Sequence, residues 1–469
     1  MGIESTADGD SDIDAKGLFR IIWKFSWPVL GTMLLNFIVG YTDVYVAGLL
    51  GPDVQAVVGF ISQLYFVLIV LGNALGVGTV ALVSRAVGGD DWDSAYHFTR
   101  QTMILACILG LSLSALSFTG AGEIVRRFDL PETIRPTALA YLRIFSFAIF
   151  SNYIIILMNA VFRAVGRPLT TFKIMSAVTV VNVLANFSLV FGWGPLPVLG
   201  YRGIALATVI SMAFGAGCTV FVLCRSPWRK MLKGSWRLSR EVIRALLKIS
   251  WPAAVLQIGW NAGSLALYEI LGRLGSESVV AMAAYANGLR MEAITYLPTF
   301  ALNQAAAVLV GQSLGSGSVD RAKRIGWQMA GSGALSLSLF AAFLFWISPQ
   351  LAGILTSDPG VRAETIRYLR FNLACVPFMV SSVVLGGAMQ GAGDTFGVMR
   401  IIIFAIWLIR IPLAVLLCFH FRLGALGVWI AMFCSGLLQG LQMVTRFSRG
   451  AWFRRANRPA GDSPGQKSP

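Results

Sequence analysis

Charged residues are scarce in this chain. Asp, Glu, Lys and Arg together account for 13% of its 469 residues, whereas typical soluble domains contain about 25%. Hydrophobic residues account for 56%, so the chain has too little polar surface for a sizeable domain surrounded by water. The composition therefore argues against an ordinary soluble protein and favours a membrane protein.

The nucleotide-binding and zinc-protease patterns and the spacing of metal ligands are also missing. There are two histidines, and neither the nucleotide-binding pattern GxxxxGK[ST] nor the zinc-protease pattern HExxH occurs. The six cysteines fall inside apolar stretches without the spacing of metal ligands. We therefore expect no enzyme, no metal site and no cofactor. Any energy-driven process would need an ion gradient or a partner protein.

Long apolar stretches recur along the whole chain. A helix that crosses the membrane needs about 20 predominantly apolar residues. The sequence predicts twelve such helices, six in each half, and hence an all-α polytopic membrane protein. The predicted spans are 21–47, 54–84, 97–121, 134–162, 169–192, 203–224, 248–271, 279–311, 323–347, 362–390, 397–420 and 424–446.

The first half of the sequence returns in the second half. Ser26-Trp27-Pro28 recurs as Ser250-Trp251-Pro252, at a separation far longer than the repeats of about 20–50 residues that build solenoids. Because each half contains an even number of helices, both halves begin on the same side of the membrane. This predicts two six-helix bundles related by a pseudo-two-fold axis along the membrane normal. The predicted segments are a polar tail at 1–17, bundles at 18–225 and 245–448, a basic linker at 226–244 and a basic tail at 449–469.

Positive charge is concentrated in alternate loops. The net charge is +16, and much of it lies in the linker at 226–244 and after residue 445. Cytoplasmic loops carry an excess of Lys and Arg, so we expect both termini in the cytoplasm and the protein in the plasma or inner membrane. The acidic start of the chain does not resemble a cleavable signal peptide. The basic segments suit anionic lipid head groups, and nucleic acid is not an expected partner.

Polar residues inside the apolar stretches are the candidate functional residues, because polar groups are costly at membrane depth. They form helical stripes in both halves, and a water-accessible cavity between the two bundles is their simplest common location. The candidates for ion coupling are Asn36 and Asp43 in the first helix and Asn182 and Asn186 in the fifth. The candidates for a substrate cavity are Gln257, Asn261, Tyr268 and Glu269 in the seventh helix, and Glu292, Tyr296 and Asn303 in the eighth.

Asp43 is the strongest of these candidates. It follows Pro28 by 15 residues, about 22 Å along a helix that rises 1.5 Å per residue. This distance places Asp43 in the outer half of the bilayer. Because no basic residue lies within one helical turn of it, an ion-coupling role is favoured over a structural ion pair. The stripe at Asn182 and Asn186 is explained equally well by hydrogen bonds between helices.

The two acids of the second half have other interpretations. Glu269 is followed at i+4 by Arg273, the favourable order for an ion pair on one helix, so a structural pair is preferred to a transport role. Glu292 is left open between function and neutralisation by Arg410, a basic residue inside the eleventh predicted helix.

These residues resemble the multidrug and toxic compound extrusion (MATE) transporters over about 18–448. In that family a proline near the start of the first helix precedes an acidic residue and a glycine-containing end, as in Pro28 and TDVYVAGLLG. Similar motifs follow at VSRAVGGDDWDSA (83–95), LVGQSLGSGSVDRA (309–322), RAVGRPLT and QGAGDTFG. The resemblance is closer to the DinF-like branch, in which an N-x-x-x-D pair of the fifth helix assists the first-helix acid. Here Asn182 matches the Asn of this pair, and Asn186 stands at the position of its Asp.

The resemblance implies an antiporter that works by alternating access. It would export amphipathic, cationic drugs or metabolites in exchange for protons, with sodium as the other possible coupling ion. We expect a monomer, with a small-molecule substrate and the lipid bilayer as its partners. A flippase for lipid-linked precursors is the alternative, and it would need a strongly cationic cavity. A membrane-embedded enzyme or receptor has no supporting motif.

Overall fold

The protein is helical throughout the part that the computed structural model describes, which comprises residues 15–128, 130–193, 197–225 and 227–456. No strand occurs in these ranges. The all-α fold predicted from the sequence is therefore confirmed. The predicted polar tail at 1–17 and the end of the basic tail at 449–469 lie mostly outside the described residues.

Twelve helices within the described ranges are long and apolar enough to cross a membrane, as predicted. Each is longer than the roughly 20 residues that a span requires, and several extend a turn or more beyond the predicted ends. They are α1 Ala15–Leu50, α2 Pro52–Gly88, α3 Trp92–Thr119, α4 Arg135–Ala164, α5 Pro168–Phe191, α6 Tyr201–Arg225, α7 Arg240–Gly272, α8 Ser278–Gly315, α9 Val319–Trp346, α10 Pro359–Gly391, α11 Thr395–His420 and α12 Ala425–Ser448.

Helix α11 is a single span with two wide turns. Its segments Phe404–Arg410 and Leu416–His420 are π-helical. Pro412 lies between them, and proline has no N–H to complete the regular α-helical bonds of that turn. Single π turns inside helices often occur at functional sites. Here the first wide turn ends at Arg410.

The sequence repeat corresponds to a repeated local structure. After α4 the Gly166 N–H donates to the Arg163 carbonyl (2.8 Å), and after α10 the Gly393 N–H donates to the Gln390 carbonyl (2.9 Å). The φ angles of these glycines are 83° and 84°, a left-handed conformation that costs glycine little. Both copies of the motif therefore end their helix with the same turn.

The described residues form two compact units, one from Trp27 to Lys248 and the other from Ile249 onward with the start of α1 up to Ser26. In the first unit α4 is central, because most of its residues are buried, whereas most of α1 is not. In the second unit α10 packs against α8, α9 and α12. The predicted boundaries therefore differ at α1, which was assigned from residue 18 to the first bundle.

The predicted linker at 226–244 is not a free connection over its described residues. A short 3₁₀ helix, Pro227–Lys233, buries Trp228 against the rings of Trp92 and Tyr96. Arg100 of α3 donates to the carbonyls of Met231 (2.7 Å) and Ser235 (3.0 Å). Helix α7 then begins at Arg240, inside the predicted linker. The described part of this segment belongs to the first unit.

Candidate functional site

Asp43 lies in the interior of the first unit and accepts two hydrogen bonds. Its side chain belongs to α1 and the residue is only 8% exposed. The Asn186 Nδ2 donates to Asp43 Oδ1 over 2.8 Å, and the Thr208 Oγ1 donates to Oδ2 over 3.0 Å. Both donors are neutral. The carboxylate is therefore held by hydrogen bonds alone, as expected for a group whose charge can change.

The donors of Asp43 are supported by a second layer of polar groups. Asn186 Nδ2 also lies 3.2 Å from Asn182 Oδ1. Asn182 Nδ2 in turn donates to Ser211 Oγ over 3.4 Å, and this hydroxyl donates to the Thr208 carbonyl. Both asparagines are fully buried. A network from α1, α5 and α6 thus surrounds one carboxylate and contains no second acid.

Two members of this network were not among the candidates from the sequence. Thr208 and Ser211 belong to α6 and are buried, with exposed fractions of 3% and 0%. Their i, i+3 spacing places them on one face of the helix. That spacing was the available signal, but hydroxyl residues are too common in spanning helices for it to stand out.

Asn36, the other candidate of α1, makes no hydrogen bond with Asp43. Its side-chain amide donates to the Thr32 carbonyl one turn earlier (2.8 Å), and the residue is exposed. The two positions share a helix face but differ by seven residues, about 10 Å along the axis. That distance is too long for a direct contact, and the amide partner of Asp43 is Asn186.

The second unit contains its own charged cavity. Its volume is about 50 Å³ and its lining includes Glu292 and Arg410. Glu292 Oε2 accepts from the Tyr368 hydroxyl (3.1 Å), and Arg410 Nε donates to Ser435 Oγ (2.8 Å). Glu292 and Arg410 interact electrostatically, but no direct ion pair joins them in the described part of the chain.

Aromatic and sulfur-containing side chains form most of the cavity wall. Such walls suit apolar ligand groups, because aromatic rings supply contact area and thioethers adapt their shape. The other lining residues are Trp260, Tyr368, Phe371, Asn372, Cys375, Met379, Trp429, Met432, Phe433, Gly436 and Gln439.

Glu269 lies apart from this cavity lining and is paired. Its carboxylate contacts the guanidinium of Arg273 at i+4, and both side chains are more than half exposed. The ion pair expected from the spacing is therefore present. A surface pair of this kind contributes roughly 0–1 kcal/mol to stability, so the structure supports the structural interpretation of Glu269.

The remaining candidates of α7 and α8 contact residues of the same helix or of a neighbouring helix. Asn303 donates to the Val383 carbonyl of α10 (2.6 Å), and Asn261 donates to the Gln257 carbonyl (2.9 Å). The ring of Tyr268 contacts Tyr285, and Tyr296 contacts Trp260 and Phe300. Asn303 thus joins two helices, while a substrate-binding role for these residues stays a prediction.

One short segment matches a hydrolase sequence motif but does not have the structure that the motif requires. Residues 311–315 read GQSLG, a match to the GxSxG of serine hydrolases. In those enzymes the serine sits on a sharp turn between a strand and a helix. Here it lies inside α8, and Ser313 Oγ donates to the Leu309 carbonyl one turn earlier. The segment 311–315 is therefore the end of helix α8 and not a hydrolase active site.

The chain matches a protein-family model twice, once in each half. The model is MatE, and it covers residues 28–188 and 252–416. The two matches together include well over half of the sequence. The chain belongs to the MatE family. This assignment makes it an integral, multi-pass membrane transporter and not an enzyme.

Individual relatives agree with the MatE assignment. A probable multidrug resistance protein NorM of Thermotoga maritima is 25% identical over 92% of this chain and 93% of its own length. Another protein of that name from Mesorhizobium japonicum is 27% identical over 93% and 94%. A crystal structure described as MATE in the bent conformation aligns with TM-score 0.83 at 19% identity, covering 96% of this chain and all of that one. The branch within the family stays a prediction.

Proposed function

We propose that this MatE transporter is a proton-coupled antiporter that exports amphipathic, cationic drugs or metabolites by alternating access. The observation that carries the proposal is the buried Asp43 carboxylate, which accepts hydrogen bonds from Asn186 and Thr208. Burial disfavours its charged form, whereas these donors favour it. A carboxyl group balanced in this way can change its protonation when its surroundings change.

The polarity of the groups around Asp43 supports protons over sodium. Metal cations of the alkali and alkaline-earth groups are bound by oxygen ligands. Asn186 and Thr208 instead direct an N–H and an O–H toward the carboxylate. In the part of the chain that the structure describes, no cluster of three His, Cys, Asp or Glu residues has the geometry of a metal site.

Protonation of Asp43 would couple to helix packing through these hydrogen bonds. The ionised carboxylate holds α5 and α6 to α1 through Asn186 and Thr208, whereas a neutral carboxyl group is a weaker acceptor. The two protonation states then stabilise different arrangements of these helices. Such differential stability is what alternating access requires. A cationic substrate would be favoured in the state in which Asp43 is ionised.

The flippase alternative is less well supported. A pyrophosphate group needs several Arg or Lys side chains, whereas the cavity of the second unit contains one Arg and one Glu. The Asp43 network contains no basic side chain among its hydrogen-bond partners. These observations favour an exporter of cationic compounds. We further propose a monomer in the plasma or inner membrane with both termini in the cytoplasm.

The proposal is tested by comparing wild type with Asp43→Asn. In an efflux-deficient host, the wild type should confer resistance to a panel of cationic toxic compounds, and the variant should not, at equal membrane expression. In sealed vesicles, export should follow an imposed pH gradient without ATP. Wild-type resistance from Asp43→Asn, or export that follows only a sodium gradient, would contradict the proposed coupling.

A further inference from the structure

The cavity of the second unit presents two opposite charges that do not neutralise each other by contact. Glu292 and Arg410 both line it, and both are partly exposed. Each is held by a neutral neighbour, Tyr368 for Glu292 and Ser435 for Arg410. Separated charges at membrane depth are costly unless something compensates them. The arrangement therefore favours a ligand that contacts both.

Arg410 has unused hydrogen-bonding capacity. A guanidinium group carries five N–H donors in a fixed fork. Only its Nε has a partner among the described residues, the Ser435 hydroxyl at 2.8 Å. Its two terminal nitrogens have no acceptor there, and Arg410 lines the cavity. A fork of this kind matches a carboxylate with two parallel hydrogen bonds.

Glu292 offers the complementary half of the site. Its Oε2 accepts from Tyr368 and a side-chain hydrogen bond joins it to Asn372, so the carboxylate is fixed in place. An ammonium group would find in it a charged acceptor beside the aromatic ring of Tyr368, which also attracts cations. A cation alone would meet repulsion from Arg410, and an anion alone would meet repulsion from Glu292.

The size of the cavity suits a head group rather than a whole drug. About 50 Å³ is space for a compact group of a few atoms, with the apolar remainder of the ligand outside it or against the aromatic wall. Trp260, which lies near the Arg410 guanidinium at 6.0 Å from its ring centre, belongs to that wall.

We propose that Glu292 and Arg410 form a two-charge site for the zwitterionic head of an amphipathic substrate. The ammonium group binds Glu292, the carboxylate group binds the terminal nitrogens of Arg410, and the apolar body packs on the aromatic wall. This inference rests on the proposed export function and adds zwitterionic compounds to the proposed cationic substrates. It also assigns Glu292 to substrate binding instead of to neutralisation by Arg410.

Binding of three matched compounds to the purified transporter tests the site. 2-Naphthylalanine carries both charges, 2-(2-naphthyl)ethylamine only the ammonium group, and 3-(2-naphthyl)propionate only the carboxylate. Titration calorimetry should show that the zwitterion binds about tenfold or more tightly than either single-charge compound, since each charged hydrogen-bonded pair is worth at least that factor.

Two variants should change this preference in opposite directions. Arg410→Gln should bind the amine as tightly as the zwitterion, and Glu292→Gln should do the same for the acid. Arg410→Lys keeps the charge but loses the fork, so it should retain part of the preference. Glu269→Gln is the matched control, because that carboxylate is paired with Arg273 on the surface, and it should leave all three affinities unchanged.

Equal binding of the three compounds by the wild type would overturn the proposal, as would an unchanged preference in Arg410→Gln. Thermal unfolding of each variant shows whether it is folded. If Arg410→Gln does not fold, Arg410→Lys takes its place in the test. Failure here leaves the proposed function intact if gradient-driven export of cations still depends on Asp43. Selective zwitterion binding without any export would contradict the proposed function instead.

Discussion

The Asn186 amide nitrogen lies 2.8 Å from Asp43 Oδ1, although the two residues are 143 positions apart in the chain. The same nitrogen lies 3.2 Å from Asn182 Oδ1. Asn186 therefore ties the carboxylate of α1 to the polar stripe of α5. It occupies the position at which the related DinF-like pattern has an acid, so a single substitution would place two carboxylates in contact.

Asn186→Asp should move the pH dependence of export upward. Two carboxylates at hydrogen-bonding distance share one proton, because both cannot ionise cheaply in a buried site. The pair should therefore retain a proton to higher pH than Asp43 alone. Export rates in vesicles measured from pH 5.5 to 8.5 would show the shift. An unchanged profile would mean that residue 186 does not sense the protonation of Asp43.

Thr208→Val should slow export without unfolding the protein. Valine has nearly the shape of threonine but removes the O–H that donates to Asp43 Oδ2. A hydrogen bond to a charged group is worth about 1.5–3 kcal/mol, so we expect roughly a tenfold or larger change in coupled export rate.

Thr219→Val is the control for Thr208→Val. It lies on the same helix, and its hydroxyl donates to the Gly215 carbonyl instead of to Asp43. Equal losses in the two variants would attribute the effect to α6 packing and not to the carboxylate.

Arg446→Gln should destabilise the second unit. Arg446 Nε and Nη2 both donate to Asp394 Oδ2, at 2.9 and 2.5 Å, and the Asp394 side chain is only 1% exposed. Removing one member of a buried ion pair costs about 3–5 kcal/mol. A lower thermal unfolding temperature would confirm this. Arg449→Gln, at an exposed position, should leave the temperature nearly unchanged.

Gln101→Leu should release the segment between α6 and α7. Gln101 donates to the Arg237 carbonyl (2.8 Å) and accepts from the Ser239 N–H (3.0 Å), so it clamps the backbone of that segment. Trypsin should then cleave at its basic residues faster than in the wild type. The control is Arg126→Gln, whose side chain is more than three-quarters exposed and pairs with Glu123 in the short helix Ala121–Arg127, outside this segment. Identical cleavage rates in wild type and Gln101→Leu would show that the clamp does not restrain the segment.

The number of helices and the pairing of nearby residues followed from the sequence alone. Membrane thickness sets the length of an apolar span, so twelve stretches predicted twelve helices. The i+4 spacing of Glu269 and Arg273 predicted their contact, because helix geometry places such residues on one face. The two similar motifs RAVGRPLT and QGAGDTFG also form the same turn, at Gly166 and at Gly393.

The partners of the buried charges were decided only by the tertiary structure. Thr208 reaches Asp43 across 165 positions, Tyr368 reaches Glu292 across 76, and Arg100 reaches Met231 across 131. Helical periodicity specifies which face of a helix is polar, but it carries no information about which helix lies opposite. That choice depends on how side chains of many helices fit together at close packing. The sequence therefore favoured Asp43 as the ion-coupling candidate, and the fold placed Asn186 and Thr208, rather than Asn36, in contact with it.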